Sequence, residues 1–230
     1  MKKMINKPED IVEEMVSGML KAYPEYLERV KDLPVIVRKN KKVGKVALVS
    51  GGGSGHEPSH AGFVGCGMLD GAVAGEVFTS PSADKVYEAI KAVNNGAGVL
   101  LIIKNYSGDV MNFEMAAEMA AMEGIEVKKI VVDDDIAVEN STYTVGRRGI
   151  AGTVLVHKMV GAAAEKGYSL EELEVLGNKV ITRTKTLGMA LEPCMVPTTG
   201  KLSFELADDE VEIGLGIHGE PGTHLSLIHI

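Results

Sequence analysis

The sequence predicts an α/β protein in which helices cover a mostly parallel sheet. Short apolar runs rich in β-branched residues occupy residues 46–50, 99–104 and 127–133, and helix-like segments at 82–93 and 109–123 lie between them. Runs of that length suit buried strands, and regular alternation of strand and helix is typical of parallel sheets. A ligand site is then expected at the carboxyl ends of the strands.

The segments on either side extend this pattern. Apolar residues recur at helical spacing over residues 8–23, which predicts an opening helix, and residues 150–166 and 170–187 predict two longer helices. Residues 201–206 and 210–217 flank a turn-like segment and predict a β-hairpin. This hairpin would begin a second, smaller α/β lobe that is incomplete.

Composition excludes two classes of partner. The 230 residues carry a net charge of −8, and Lys and Arg are dispersed apart from one short cluster, so a nucleic-acid partner is not expected. An apolar run of about 18 residues, as a membrane span requires, does not occur, and the first residues turn acidic before a signal-like stretch can form. We therefore expect no membrane partner and a cytoplasmic location.

A glycine-rich segment directly follows the first predicted central strand. Its sequence reads VALVSGGGSGHEP and includes Gly53, Ser54, Gly55 and His56. Glycines there let backbone N–H groups approach a ligand oxygen. The spacing fails both the dinucleotide fingerprint and the P-loop, so nucleotide binding is not indicated. A ligand cradle and a tight strand-to-helix turn both remain open, and the adjacent Ser and His favour the cradle.

His56 to His60 also fits the zinc-protease pattern H-E-x-x-H. Pro58 suits the first position of a helix, so His56 would precede that helix and the two rings would not share a face. Because two zinc ligands at this spacing must lie on one helical face, we predict no metal site.

A second polar loop leaves the strand at 99–104 and enters a helix. Lys104 and Asp109 flank this loop, which should open on the same sheet edge as the glycine segment. They would supply a cationic anchor and a base. The alternative makes Asp109 a helix N-cap and Lys104 a solvated strand end.

His218 ends a glycine-punctuated strand, GLGIHGEPG. A neutral imidazole nitrogen can add to a carbonyl, so an exposed histidine here could anchor a substrate covalently. A simple turn explains the local sequence equally well.

Three further features have ordinary explanations. Asp133 to Asp135 could hold a metal but are interpreted as an acidic loop. The segment from Tyr143 to Gly149 could bind an anion or form a packed turn. His157 lies in an apolar helix and is interpreted as a satisfied buried residue.

Together the motifs resemble one family, the substrate-binding subunit of dihydroxyacetone kinase. The resemblance runs in order from residue 1 to about 222 and is carried by VALVSGGGSGHEPSHAGFVG, GAVAGEVFTSPSADKV, IKNYSGDVMNFEMAAEMA, VVDDDIAVE, GRRGIAGTVLVHKM and GLGIHGEPG. It implies a first α/β lobe over residues 1–182 and the beginning of a second lobe over 183–222. Residues 223–230 match nothing in the family and are expected to be a foreign tail.

The resemblance also implies site roles. His218 would form a hemiaminal with the ketone carbon of dihydroxyacetone, which selects ketoses over glycerol. Gly53, Ser54, Gly55 and Lys104 would bind substrate oxygens. Asp109 and His56 would be the acid/base pair, with Asp109 deprotonating the reacting hydroxyl.

The resemblance implies partners as well. The chain would carry no cofactor of its own, and a nucleotide-binding kinase subunit would bring ADP or ATP with Mg²⁺. In the bacterial form of the family, that nucleotide is rephosphorylated by a phosphoenolpyruvate-driven phosphotransferase. A homodimer is also expected.

Two other functions were weighed. A non-catalytic ketose sensor acting as a regulator would need the binding residues alone, whereas His56, Asp109 and His218 are all present and favour an enzyme. A Rossmann-like nucleotide enzyme is disfavoured by the failed fingerprint.

Overall fold

The computed structural model of the chain describes residues 4–139, 144–218, 220, 222 and 224–227. A six-stranded sheet forms its centre, with the order β1-β2-β4-β3-β5-β6. The strands are β1 (Leu27–Arg29), β2 (Val35–Arg38), β3 (Ala47–Ser54), β4 (Gly71–Val77), β5 (Val99–Lys104) and β6 (Val127–Val132). The four strands β4, β3, β5 and β6 pair in parallel, and β1 and β2 add an antiparallel edge. The α/β prediction with a mostly parallel sheet is confirmed.

Within the described residues, five α-helices cover the two faces of this sheet. They are α1 (Ile11–Ala22), α2 (Ala83–Val93), α3 (Ser107–Met122), α4 (Thr153–Glu165) and α5 (Leu170–Arg183). Alternate residues of β5 separate the two cores: Leu100 and Ile102 pack with α1, α4 and α5, whereas Leu101 packs with α2 and α3. Because successive side chains of a strand point to opposite faces, a continuous apolar run is what a doubly covered strand requires.

The predicted helices occur, and α4 and α5 end earlier than predicted. Helix α5 ends at Arg183, and Ser169 caps its start in a capping box with Glu172. A Ser three residues before a Glu satisfies two backbone N–H groups at once, which fixes where this helix begins.

The predicted β-hairpin is wrong. Residues 201–206 form no strand, and only Leu202 makes an isolated bridge, to Met195. The second sheet instead has the order β7 (Met189–Ala190), β8 (Glu210–Ile213) and β9 (His224–Leu227). The alternating pattern identified β8 but could not show its partners, since pairing is set by contacts distant in sequence. The assignment of residues 223–230 to a foreign tail stays a prediction.

Candidate active site

The glycine segment is part of a strand and not the loop we predicted. Strand β3 continues through Gly51 to Ser54, paired in parallel with β4, and all eight of its residues are buried. Glycine is required here because a Cβ on Gly53 would lie 2.6 Å from the backbone nitrogen of Thr79. The bare backbone therefore lets the turn after β4 pack directly over the end of β3.

The predicted helix after Pro58 is also wrong. Residues 55–60 form bends and turns, and only a 3₁₀ turn (Ala61–Phe63) follows. His56 and His60 project to different neighbours: the His56 ring lies 4.9 Å from that of His218, and the His60 ring lies 5.2 Å from that of His157. That these two histidines form no shared zinc site stays a prediction.

The loop after β5 supplies two buried charged groups. Lys104 is 3% exposed and Asp109 2% exposed, so Lys104 is not a solvated strand end. The N-cap of α3 is Tyr106, and Asp109 lies in the first turn, so the N-cap alternative is wrong as well. Oδ1 of Asp109 has no hydrogen-bond partner among the described residues, which leaves this acceptor available to a ligand.

His218 lies against three aromatic rings, with centroids 4.7 Å from Tyr106, 4.9 Å from His56 and 6.0 Å from Phe78. Its Nδ1 is 2.9 Å from Oε1 of Glu220, and its backbone N–H donates to the same carboxylate. A carboxylate on Nδ1 keeps a proton on that nitrogen, so the neutral form of the ring has its free lone pair on Nε2. The ring is therefore oriented for attack through Nε2.

Glu220 is ionised despite its burial. Burial opposes the charge, but hydrogen bonds from the ring and backbone of His218 outweigh it and lower the pKa of Glu220 to about 2. The sequence analysis missed this residue. Its position two residues after His218, in GIHGEPG, was the available signal.

An ion pair holds the His218 segment against the first lobe. Arg148 is fully buried, and its guanidinium bonds Asp135 at 2.7 Å and donates to the carbonyl of Gly214 at 2.6 Å. Asp134 accepts from the backbone N–H groups of Ile150 and Gly152. The acidic run is a loop, as interpreted, in which Asp134 and Asp135 are buried and bind these donors. Of the turn segment 143–149, Tyr143 lies outside the described residues.

Burial sets the charge state of the convergent groups. It raises the pKa of Asp109, an effect that Ser80 and Lys104 partly offset, and it lowers the pKa of Lys104. Burial, reinforced by the charge of Lys104, lowers the pKa of His56 to about 3. His56 is therefore neutral at physiological pH and available as a proton acceptor.

A cleft of about 470 Å³ opens beside these groups. Its lining residues come from the turn after β4, the start of α3 and the second lobe: Val77, Phe78, Thr79, Ser80, Tyr106, Ser107, Gly108, Val196, His218 and Glu220. A volume of this size accommodates a small polar molecule with room for part of a partner group.

The structure brings His56, Lys104, Asp109 and His218 together, as predicted. The hydroxyl of Ser54 is already used within the protein, because it donates to the carbonyl of Gly75 at 2.7 Å. It can therefore offer a ligand only its lone pairs. The residues 53–55 stay predicted substrate contacts. The prediction that the ring of His157 is fully hydrogen-bonded holds for only one of its nitrogens. Nε2 contacts Nδ1 of His60, but Nδ1 has no hydrogen-bond partner among the described residues.

Within residues 4–139, 144–218 and the few positions described beyond, no group of three or more His, Cys, Asp or Glu side chains is arranged to hold a metal ion. In the same part of the chain, no helix combines the length and apolarity of a membrane span.

The fold and site define a class of α/β protein with a polar cleft beside the carboxyl ends of its parallel strands, and comparison with known proteins gives the family. The model of the Dak1 domain matches residues 17–229, so the chain belongs to the Dak1 domain family. It is 64% identical over 222 residues to a Listeria innocua protein named as the dihydroxyacetone-binding subunit DhaK of PTS-dependent dihydroxyacetone kinase 1. That match covers 96% of this chain and 68% of the relative.

Solved structures show the same relationship. The dihydroxyacetone kinase of C. freundii superposes with a TM-score of 0.92 at 41% identity, covering 100% of this chain and 42% of that one. The dihydroxyacetone kinase operon co-activator DhaQ superposes at 0.88 with 42% identity, covering 95% of this chain and 66% of that one. The chain thus spans about two thirds of its curated bacterial relative and less than half of the solved kinase.

Proposed function

We propose that the chain is a dihydroxyacetone-binding subunit of a dihydroxyacetone kinase and that it holds its substrate covalently through His218. The observation that carries this proposal is the His218–Glu220 pair, in which the carboxylate engages Nδ1 and leaves Nε2 clear of it, in a ring that lies beside His56. The name of the Listeria innocua relative supports the choice of substrate.

The covalent step is an addition to the ketone. The lone pair of Nε2 forms a bond to the carbonyl carbon, and the π electrons of the C=O bond move to oxygen. That oxygen takes a proton from solvent water, which the cleft beside the ring admits. The ring becomes cationic as the bond forms, and Glu220 stabilises it, as a carboxylate on Nδ1 stabilises an imidazolium. Glycerol has no electrophilic carbon and cannot form this bond.

The remaining groups act on the substrate hydroxyl that receives the phosphoryl group. Lys104 donates to a substrate oxygen near the glycine strand, and Gly53, Ser54 and Gly55 contact the hydroxyls. Once ionised, Asp109 removes the proton of the attacking hydroxyl as the bond to phosphorus forms, and the neutral His56 assists.

The phosphoryl donor is assigned to a partner. We infer that a nucleotide-carrying subunit, with ADP or ATP and Mg²⁺, docks over the cleft at His218 and the start of α3. The relative's description as one subunit of a PTS-dependent kinase supports this division of labour. A homodimer of this chain is part of the same proposal.

The alternative of a ketose-sensing regulator is less well supported. The similarity to a co-activator shows that this fold is not confined to kinases. Holding a ketose requires an anchor for the carbonyl, but it does not require a buried base with a free oxygen such as Asp109. The presence of this base favours the enzyme.

Titration calorimetry with dihydroxyacetone and with glycerol tests the proposed substrate class. We expect saturable binding of the ketose and none of the polyol, and no binding of NAD. Equal affinity for dihydroxyacetone and glycerol, or a nucleotide that binds the chain by itself, would contradict the proposal.

A further inference from the structure

Aromatic side chains are scarce in this chain, yet two of them flank the ring of His218. The sequence has six Tyr, four Phe and no Trp. The ring centroid of Tyr106 lies 4.7 Å from that of His218 at an interplanar angle of 80°, and the centroid of Phe78 lies 6.0 Å away at 73°. The proposed chemistry assigns neither residue a task. We call Tyr106 and Phe78 the aromatic pair.

The backbone holds Phe78 in a conformation that a bulky residue seldom adopts. Its φ is 57°, in the left-handed region that favours glycine. A Cβ on Gly55 would lie 2.6 Å from Cε1 of Phe78, so glycine at position 55 makes room for this ring. Residues with such backbone angles persist where their surroundings demand them, and they cluster at functional sites. The strained turn therefore points to a role for the ring of Phe78.

The hydroxyl of Tyr106 does not account for the position of its side chain. Tyr106 is 4% exposed and forms the N-cap of α3. The backbone N–H of Ile217 faces the phenol oxygen, but the hydroxyl proton has no acceptor among the described residues. A buried tyrosine usually finds a partner for its hydroxyl. The described contact of Tyr106 with the site is therefore the one between its ring and that of His218.

Three rings stand steeply inclined to the ring of His218, since His56 joins the aromatic pair at 4.9 Å and 70°. In such an arrangement the edge of one ring meets the face of the other. His218 has only two faces, so three neighbours at these distances cannot all direct an edge at them. At least one neighbour presents its face to the edge of His218, and Tyr106 is the nearest of the three.

An aromatic face at the edge of an imidazole favours positive charge on that imidazole. The face is negative and attracts a cation within about 6 Å of the ring centroid, more strongly where water is excluded. A second carboxylate at Nε2 would draw a proton onto that nitrogen and block it. An aromatic face stabilises the charge and leaves the lone pair of Nε2 free.

We propose that Tyr106 and Phe78 are positioning residues for His218: their aromatic faces meet the edge of the imidazole and stabilise the positive charge that it gains on adding to a carbonyl. Tyr106 is nearer and contributes more. The consequence for catalysis rests on the proposed function. The stabilisation itself is a property of the unliganded chain and is measured there.

Charged and titratable groups also act on His218. Those that face its ring or its segment are Glu220, Asp109, His56 and Arg148. The carboxylates favour a cationic ring, whereas the charge of Arg148 and any charge on His56 oppose it. A substitution that changes only the electron density of the Tyr106 ring leaves all of these groups in place. A change in the titration of His218 then reports on that ring.

A series of variants at position 106 weakens the aromatic face while keeping its shape. Tyr106→Phe removes only the hydroxyl, and the same substitution made with mono- or trifluorinated phenylalanine makes the face progressively less negative. Tyr106→Leu removes the ring. Phe113→Leu is the control for loss of a buried aromatic elsewhere, because Phe113 is fully buried in the core under α2 and α3. NMR follows the ring of His218 in the full chain, and its signals are assigned by their loss in His218→Ala.

We expect His218 to titrate in Tyr106→Phe as it does in the unaltered chain, and at successively lower pH as fluorine is added. In Tyr106→Leu the midpoint should fall by about 0.5–1.5 pH units, the range that cation–π energies give. Phe78→Leu should lower it by less, and Phe113→Leu should not change it. A ring proton of His218 should resonate upfield in the unaltered chain, because a proton above an aromatic face is shielded, and should lose this shift in Tyr106→Leu.

The dihydroxyacetone adduct should weaken by the same factor as the charge on the ring, about 3- to 30-fold in Tyr106→Leu relative to Tyr106→Phe. If the unaltered chain forms no adduct, the proposed function fails, but the titration of His218 still decides the role of the aromatic pair.

Two results would overturn the inference. A His218 midpoint that stays constant or rises with fluorination would show that the face of Tyr106 does not act on the ring. A midpoint that falls equally in Phe113→Leu would show that the loss of any buried aromatic has the same effect.

Discussion

Nδ1 of His218 and Oε1 of Glu220 lie 2.9 Å apart, and this contact defines which ring nitrogen is free to react. In Glu220→Gln the charge that stabilises the cationic ring is lost, and the amide can present a donor where an acceptor is needed. We expect the rate of adduct formation with dihydroxyacetone to fall by at least about tenfold, in line with other carboxylates that orient histidines. Mass spectrometry of samples quenched at successive times measures this rate. The exposed variant Glu205→Gln serves as the control. An unchanged rate would remove Glu220 from the mechanism.

The buried pair of Arg148 and Asp135 should hold the His218 segment in place. In Arg148→Met, Asp135 is left as an uncompensated buried charge, which costs about 3–5 kcal/mol of folding free energy. Hydrogen exchange at β8 should accelerate, while β5 in the centre of the sheet keeps its protection.

The double variant Arg148→Met with Asp135→Leu removes the unpaired charge and should recover much of that stability. The link to the Gly214 carbonyl stays broken, so exchange at β8 should remain fast. Slow exchange at β8 in both variants would show that other contacts hold the segment.

Glycine 53 should not tolerate a side chain. The added methyl group in Gly53→Ala would meet the backbone at Thr79 and Phe78, where nothing flexible can yield, and overpacking of this kind costs about 1–3 kcal/mol. Gly18→Ala is the matched control, since Gly18 lies within α1 with open space around it and alanine there stabilises a helix by about 1 kcal/mol. Urea unfolding measures both changes. Equal stability of the two variants would show that the end of β3 can move.

Asp109 should be needed for phosphoryl transfer and not for holding the ketose. In Asp109→Asn the base is lost, and we expect the turnover rate to fall about 10²- to 10⁴-fold while the adduct at His218 still forms. The assay contains the nucleotide-carrying subunit, with Asp32→Asn as the control. Burial raises the pKa of Asp109, so activity should decline on acidification at a higher pH than an exposed aspartate would give. Loss of the adduct together with turnover would show that Asp109 acts in the addition step instead.

Local sequence patterns predicted the helices and the strands β3, β5 and β6 because each is long enough to show its own period, whereas β4 was not predicted. Strand β5 begins and ends at the predicted residues, because its apolar run is preceded by glycine and followed by a polar loop, which mark both ends of the strand. The continuation of β3 through its glycines was missed because glycine is a poor strand former by itself. Here pairing with β4 and close packing against Thr79 override that preference.

The site was predicted in its charged residues but not in the groups that orient them. Lys104, Asp109 and His218 follow strands, where ligand groups are expected. Arg148 acts through contacts between segments far apart in the chain, and Glu220 acts through a hydrogen bond to a near neighbour. Periodicity carries no signal for such contacts.

The most direct test of the account is intact-protein mass spectrometry after mixing with dihydroxyacetone, run beside His218→Ala. The account predicts a gain of one ketose mass without loss of water, because addition to the carbonyl expels nothing, and no gain in His218→Ala. An adduct that persists in His218→Ala, or its absence from a folded chain that binds the ketose by calorimetry, would contradict the covalent role of His218.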